Sequence, residues 1–327
     1  MPSLTRILLA IVFLAAVGPS AQALDKLTFI LSWRAQAEHG GYFHALVKDY
    51  YKDCGLDLTI RQGGAGIDTA QLLAGGAVDF AIVPFIDTVL QMNQAGFPAR
   101  AVMGAFQRSA QILMTHEGNG IETFEDMRGK PIMIGASARA TFWPFLRDKY
   151  GWSDTQIRAY TGQLALFYAN KAAIQQALIT NEPFLVKRQT GETPKSFLLA
   201  DYGYGTYASI VVTSQALIDK NPAAVRCMVD ASVKGWSDFL GDPKPAFEVI
   251  KKEEPQNSDD LMAYTYRTIK DAHLVQTAET DGSAIGIMTL ERWKAHYEML
   301  VAESLISKSL DYQKGLALQF LPKKAAN

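Results

Sequence analysis

Apolar and polar positions change period repeatedly along this chain. Residues 27–31 form a short apolar run that reads as a strand. From 38 to 52, Tyr42, Phe43, Leu46, Val47 and Tyr50 recur at helical spacing, and Cys54-Gly55 ends the helix. Residues 56–61 alternate as a strand, and Gln62-Gly63-Gly64-Ala65-Gly66 is a turn that opens a helix over 67–73. A buried strand over 78–83, a helix over 86–95 and a strand over 99–106 follow. Such alternation predicts a parallel sheet flanked by helices.

A second unit repeats the pattern. It reads as a strand over 112–115, a short helix over 123–127 capped by Thr123, and a strand over 130–134 leading into Gly135-Ala136-Ser137-Ala138-Arg139. A helix over 140–150 places Pro144 in its first turn. An extended piece over 157–160, a helix over 170–178, a restricted turn over 181–184 and a strand over 197–200 complete the unit. Beyond an extended stretch at 207–213 the chain is mainly helical, over 222–240, 242–252, 259–272 and 289–303. The expected fold is α/β, with two lobes around a cleft and the helical tail returned to the first lobe. That gives one lobe from 24–112 plus 211–327 and another from 113–210, with crossovers near 111–116 and 207–213 acting as a hinge.

The first residues stand apart from this fold. Arg6 precedes an apolar run, Ile7 to Val17, of about 11 residues, and Ala21-Gln22-Ala23 offers a small-x-small cleavage pattern. A spanning helix needs about 20 apolar residues, so the run reads as an export signal cleaved after Ala23. Export implies the periplasm. Full-length charge is near zero, with 32 basic and 33 acidic residues. This balance gives no footprint for nucleic acid. Cys54 and Cys227 are the only cysteines, too few for a disulfide framework, and whether they pair stays open.

Candidate chemistry gathers where strands meet helices, because ligands in open α/β sheets sit at the carboxyl ends of strands. Trp33 either stacks on a solute ring or packs in the core. Gln36, Glu38 and His39 precede a helix; Glu38 either contacts solute or favours the positive helix end, and a lone His39 is weak as a ligand. Tyr42 lies one turn further on. Gly64 sits in a glycine-rich turn that lacks the G-K-[ST] ending of a phosphate loop, so it is a solute-contacting or an ordinary turn. Pro84, Phe85 and Phe106 follow the next strands on the same edge. Ser137, Arg139 and Thr141 surround a helix start suited to an anionic group, Arg139 being either its partner or a solvated arginine. Tyr202 and Tyr204 form an aromatic rim before the second crossover.

An ordered set of segments carries a family resemblance. Trp33-Arg34-Ala35-Gln36 with Gly41-Tyr42-Phe43, Ala74 to Val83, Phe124-Glu125-Asp126-Met127-Arg128-Gly129-Lys130 and Ile179-Thr180-Asn181-Glu182-Pro183-Phe184 together resemble exported solute-binding proteins of the NMT1/THI5-like group. The resemblance spans nearly the whole chain after the signal. It implies a type II periplasmic binding fold and delivery of a small solute to an ABC permease in the inner membrane, by a protein expected to be a monomer. It also implies that Glu182 faces the cleft, with Phe184 beside it; a carboxylate there accepts hydrogen bonds from an aminopyrimidine-like ring. A pyrimidine, thiamine-precursor-like or aromatic solute is expected; sulfonate, taurine and nitrate are the alternatives. The eukaryotic branch of the group makes a pyrimidine with iron and a cysteine-rich motif. This chain has two isolated cysteines, no G-x-S-x-G, and five histidines (39, 44, 116, 273 and 296) without metal-ligand spacing. No catalytic residue, metal or cofactor is therefore expected.

Overall fold

The computed structural model describes residues 24–64, 66–160, 162–277 and 285–321. The expected export signal and its cleavage point lie outside the described residues. Ten strands are present: β1 (Asp25–Ile30), β2 (Leu56–Arg61), β3 (Phe80–Phe85), β4 (Ala99–Phe106), β5 (Gln111–Thr115), β6 (Ile132–Ile134), β7 (Ile157–Ala159), β8 (Ile174–Leu178), β9 (Lys195–Leu198) and β10 (Ala208–Ser214). They form two five-stranded sheets, ordered β2-β1-β3-β10-β4 and β7-β6-β8-β5-β9.

In the first sheet β1 is parallel to β2 and β3, whereas β10 runs antiparallel between β3 and β4. The alternation anticipated a wholly parallel sheet. It missed this insertion because the inserted strand comes from about 100 residues further along the chain. Successive side chains of β1 and β3 point to opposite faces. Phe29, Leu31, Phe80 and Ile82 join Trp236 and Met228 in one core cluster, while Ile30, Ala81 and Val83 join Trp293 and Leu300 in another. Helices Pro222–Gly241 and Leu290–Ala302 thus cover the two faces of the same sheet.

Several helices start where polar residues cap them. Asp68, Ser214, Asn221, Ser258 and Thr289 each accept a bond from the backbone N–H three residues on. Each such cap is worth about 1 kcal/mol. The helix expected over 38–52 is interrupted: Gly40–Val47 ends, Asp49 turns at φ 57°, and Tyr50–Asp53 resumes.

The second sheet corrects one expectation outright. Residues 170–178 are not a helix; a short helix, Ala165–Ala169, precedes strand β8, which hydrogen-bonds to β6 on one edge and β5 on the other. The run Ile-Gln-Gln-Ala-Leu favours helix by composition, but pairing on both edges of a central strand overrides it. Asn181 to Phe184 likewise opens a helix, Glu182–Thr190, rather than forming an isolated turn.

The chain leaves the first sheet between Phe106 and Gln111 and returns between Leu198 and Ala208. The stretches expected as hinges, 111–116 and 207–213, are therefore mostly strands inside the sheets, and the crossings are 107–110 and 199–207. Gln111, Ile112 and residues 208–210 accordingly pair with the opposite sheet from the one expected for them. Side chains strap the two crossings together. Arg108 pairs with Asp201. Arg292 donates to the carbonyls of Gln107 (2.5 Å), Gly205 (2.8 Å) and Thr206 (3.2 Å), with its guanidinium 4.1 Å from the centre of the Tyr207 ring.

Helices Gly40–Val47 and Pro222–Gly241 approach closely. A Cβ on Gly235 would lie 2.3 Å from the Gly41 carbonyl oxygen, and one on Gly41 would lie 2.2 Å from the Trp236 ring. A disulfide between Cys54 and Cys227, Cα atoms 5.6 Å apart, links the continuation of the first helix to the second across 173 residues. Closing so long a loop stabilises the fold by about 3–5 kcal/mol. Urea denaturation with and without reductant should show a loss of this size; a shift below about 1 kcal/mol would mean that helix packing alone fixes the pair.

Candidate functional site

Loops at the carboxyl ends of the strands from both sheets meet one another. The loop after β1 is shaped by the neighbouring loop: Gly63 N–H donates to the Trp33 carbonyl at 3.0 Å, and a Cβ on Gly63 would lie 2.3 Å from the Leu31 oxygen. The Gln62 side chain accepts from Ala35 N–H at 2.9 Å. This fixes Gln36, Ala37 and Glu38 opposite the end of β8. There Thr180 donates its hydroxyl to Glu38 Oε1 at 2.6 Å, and Leu178 N–H donates to Glu182 Oε2 at 2.7 Å.

Segment 257–265 forms a third wall and bonds to both sides. Asn257 Nδ2 donates to the Ala35 carbonyl at 2.6 Å, the Tyr264 hydroxyl to the Ile179 carbonyl at 2.9 Å, and the Thr265 hydroxyl to the Thr180 carbonyl at 2.8 Å. Gln36, Glu38, Asn181, Asn257, Met262 and Thr265 line a crevice between these walls that is too narrow to hold a water molecule. A hollow of about 330 Å³, between Asn93, Ser307 and Lys314, faces none of these loops.

The electrostatics of this junction are acidic. Burial pushes the Glu38 carboxyl up to about 7; the Thr180 hydrogen bond opposes the rise and the nearby Glu182 adds to it. Glu182 is also raised, chiefly by burial, against the hydrogen bond from Leu178. Among the described residues neither carboxyl has a salt-bridge partner.

A second junction is aromatic. Tyr204, in the return crossing, is fully buried and donates its hydroxyl to Asp87 Oδ2 at 3.0 Å; His296 Nε2 lies 2.5 Å from Asp87 Oδ1. Burial, then the charge of Asp87, hold the Tyr204 phenol well above its ordinary range. Its ring packs on Phe85 (5.9 Å), Phe142 (6.1 Å), Phe145 (5.6 Å) and His296 (5.7 Å). Thr141 bonds the Ser137 carbonyl at 3.1 Å and lies against Tyr204.

The residues singled out from sequence therefore separate. Gln36, Glu38 and Glu182 come together at the acidic junction, and Phe85, Thr141 and Tyr204 at the aromatic one. Trp33 is 43% exposed and so is not core; Pro84, Ser137 and Arg139 are exposed, and a Cβ on Gly64 would meet nothing nearer than the Ile67 side chain at 3.9 Å. Tyr42 and Phe106 are core instead: Tyr42 packs on Phe29 (5.0 Å) and Trp236 (5.7 Å), and Phe106 on Trp236 (5.9 Å), because these rings cover the face that receives helix Pro222–Gly241. His39 is buried beneath its loop, 3.5 Å from the Ser32 hydroxyl, and burial pulls it down to about 4, so it is neutral. Tyr202 packs on Phe124 (4.4 Å) within the second half, and Phe184 on Tyr264 (5.3 Å).

Sequence reading passed over Thr180, Asn257, Tyr264, Thr265, Asp87 and His296. One signal existed: Met262, Thr265 and Ile269 share the buried face of helix Asp259–Asp271, so a hydroxyl interrupts an apolar stripe. Among the described residues no cluster of His, Cys, Asp or Glu could hold a metal, and no helix is long and apolar enough to cross a membrane.

Two sheets of this strand order, joined by two crossings and closed by C-terminal helices on the first, constitute the type II periplasmic binding fold. The periplasmic aliphatic sulphonate binding protein SsuA of Escherichia coli superposes with a TM-score of 0.67 at 14% identity, over 92% of this chain and 94% of that one. Residues 36–246 match the model of the NMT1/THI5 like family, and the chain belongs to that family. The riboflavin-binding protein RibY of Chloroflexus aurantiacus is 25% identical over 94% of this chain and 90% of its own. The Saccharomyces cerevisiae 4-amino-5-hydroxymethyl-2-methylpyrimidine phosphate synthase THI5 is 26% identical, over 74% and 75% respectively. A formylaminopyrimidine-binding protein of Halalkalibacterium halodurans is 21% identical over 78% and 80%.

The aromatic junction makes a direct prediction. Tyr204→Phe removes one of two partners from the fully buried Asp87 and should destabilise the protein by about 1–3 kcal/mol. Denaturant titration measures this, and an unchanged midpoint would mean the hydroxyl contributes nothing to the network.

Proposed function

We propose that this chain is the exported solute-binding component of an ABC importer. Its two lobes close on a small ring-containing solute that carries hydrogen-bond donors, of pyrimidine or aromatic type. One observation carries the reading: Glu38 and Glu182, from opposite sides of the junction, approach each other without a basic partner among the described residues. Carboxylates accept hydrogen bonds from ring amino and N–H groups and repel a sulfonate or nitrate. Gln36 and Asn181 add amide groups that donate and accept. The exposed Trp33 ring, on the same loop, supplies a stacking face.

Other observations agree with this reading. Two of the relatives are named for binding ring compounds, riboflavin and formylaminopyrimidine. RibY aligns with more of the chain than the synthase does, which favours a receptor over an enzyme. The crevice between the walls has no room for a solute, whereas ordinary ligand sites hold roughly 300–1,000 Å³, so on this reading the lobes part at crossings 107–110 and 199–207 to admit one. The Cys54–Cys227 disulfide suits an oxidising compartment such as the periplasm. An anionic solute would require Arg139, exposed and without an ion pair among the described residues, to swing to the carboxyls.

A thermal-shift panel of pyrimidines, aromatic acids, flavins, sulfonates, taurine and nitrate tests the class. At a hundredfold excess over Kd a true solute stabilises by about 2.7 kcal/mol. Stabilisation by the anions alone would overturn the ring reading. With a ring solute in hand, Glu182→Gln should cost about 1.5–3 kcal/mol of affinity, and Trp33→Ala should weaken binding and abolish its fluorescence quench.

A further inference from the structure

We propose that closure of the two halves is coupled to proton uptake, because it buries a carboxyl of the first half against the second at two separate places. This rests on the reading of the halves as lobes that open and close. The first place is the acidic junction, where Glu38 on the first half meets Thr180 and Glu182 on the second. The second lies away from any proposed solute contact. Helix Leu290–Ala302 packs on the first sheet and ends at Glu303; helix Phe142–Tyr150, on the second half, carries Asp148. Glu303 Oε2 is buried without a hydrogen-bond partner, and the Glu303 side chain lies within hydrogen-bonding reach of the Asp148 carboxyl.

Two carboxyls make such a contact only with a proton between them. At the second place the proton belongs to Glu303. Asp148 is held below the ordinary carboxylate range, first by Arg147, whose Nε is 2.6 Å away, and then by Glu303. Burial, the Asp148 hydrogen bond and the Asp148 charge raise Glu303 to about 7, while Arg147 opposes the rise. Arg147 is already shared with Asp154, at 3.6 Å. On the helix that ends at Glu303, Lys294 pairs with Glu298 at 3.4 Å and His296 with Asp87 at 2.5 Å, and neither pair involves Glu303. At the first place the groups facing the carboxyls are the Thr180 hydroxyl and the phenols of Tyr160 and Tyr264, which lie near Glu182. The basic residue of the Glu38 loop, Arg34, is engaged by Glu254 at 3.5 Å.

The sign follows from the two states. In an open form these carboxyls face water and titrate near 4.5; in the closed form Glu38 and Glu303 titrate near 7. Closed protein therefore binds protons that open protein has lost. The closed-to-open ratio is greatest below about pH 4.5, falls between there and about pH 7, and is level above that. The slope reaches about tenfold per pH unit for each carboxyl that acts.

Solute-free protein suffices for the test, so its outcome is separate from whether any solute is found. Dyes on Gln71→Cys and Lys187→Cys, exposed on opposite halves, report closure by single-molecule energy transfer from pH 5 to 8. The closed-to-open ratio should fall by tenfold or more from pH 5 to 7 and then level off. Glu303→Gln, a neutral isostere that can donate to Asp148, should flatten the curve by about tenfold per pH unit, and adding Glu38→Gln should remove the remaining slope. A closed population that does not change with pH in the otherwise unaltered protein overturns the proposal, whether or not the variants fold. So does an unaltered pH dependence in the folded double variant.

Discussion

Strand β10 lies antiparallel between β3 and β4, and its backbone bonds on both edges tie residues 208–214 to 80–85 and 99–106. A central strand cannot be withdrawn without leaving two rows of buried donors and acceptors unpaired, so the chain must return to the first sheet after building the second. Everything C-terminal to β10 then belongs to the first half, including both helices that cover its faces. Freedom of movement between the halves is confined to two short crossings, and Arg292 grips both of them from the first half through the carbonyls of Gln107, Gly205 and Thr206. Tyr204 extends the same logic. It sits in one crossing, bonds Asp87 of the first half, and lays its ring on Phe142 and Phe145 of the second.

Local patterns revealed the first half well. Runs such as 56–61 and 99–106 matched the observed strands because short-range alternation and Gly or Pro punctuation determine them. Strand β8 was lost because Gln175, Gln176 and Ala177 carry no strand preference of their own; their conformation comes from β5 and β6, distant in sequence. The same division holds at the site. Glu182 came from the family resemblance, the strand before it having been read as a helix, whereas Glu38 was legible because it lies where a strand gives way to a helix. Tyr42 and Phe106 satisfied that criterion equally, and only the position of Trp236, almost 200 residues beyond Tyr42, shows that they face the core. Thr180 entered only as part of a family segment, with no role of its own, and Asn257 carries no signal that distinguishes it from an ordinary turn residue, although each bridges separate segments.

The two junctions divide the work. At the aromatic one, the buried Asp87 carboxylate is bonded to both Tyr204 and His296, one on each oxygen. A buried network paired in this way fixes geometry. At the acidic junction both carboxyls accept from neutral donors only, Glu38 from the Thr180 hydroxyl and backbone, Glu182 from backbone N–H groups and Asn181, and the nearby Glu182 adds to the cost of ionising Glu38. A sequence selected for stability alone would place a cation there. A local rule broken inside an otherwise consistent fold is characteristic of functional sites.

Under the proposed function this incompleteness has a direct consequence for closure. A solute shifts an open–closed equilibrium only by the difference in its affinity for the two forms. In the open form each carboxyl is already solvated, so a donor-bearing ring that touches one of them replaces a water and gains little. In the closed form the carboxyls have lost water and face each other, and the same donors now relieve both desolvation and like-charge repulsion. The penalty borne by the empty closed form is thus the quantity that a correct solute removes. An anion would add to that penalty, and an apolar ring would leave it untouched. The opposed carboxyls therefore discriminate at the closing step as well as at first contact.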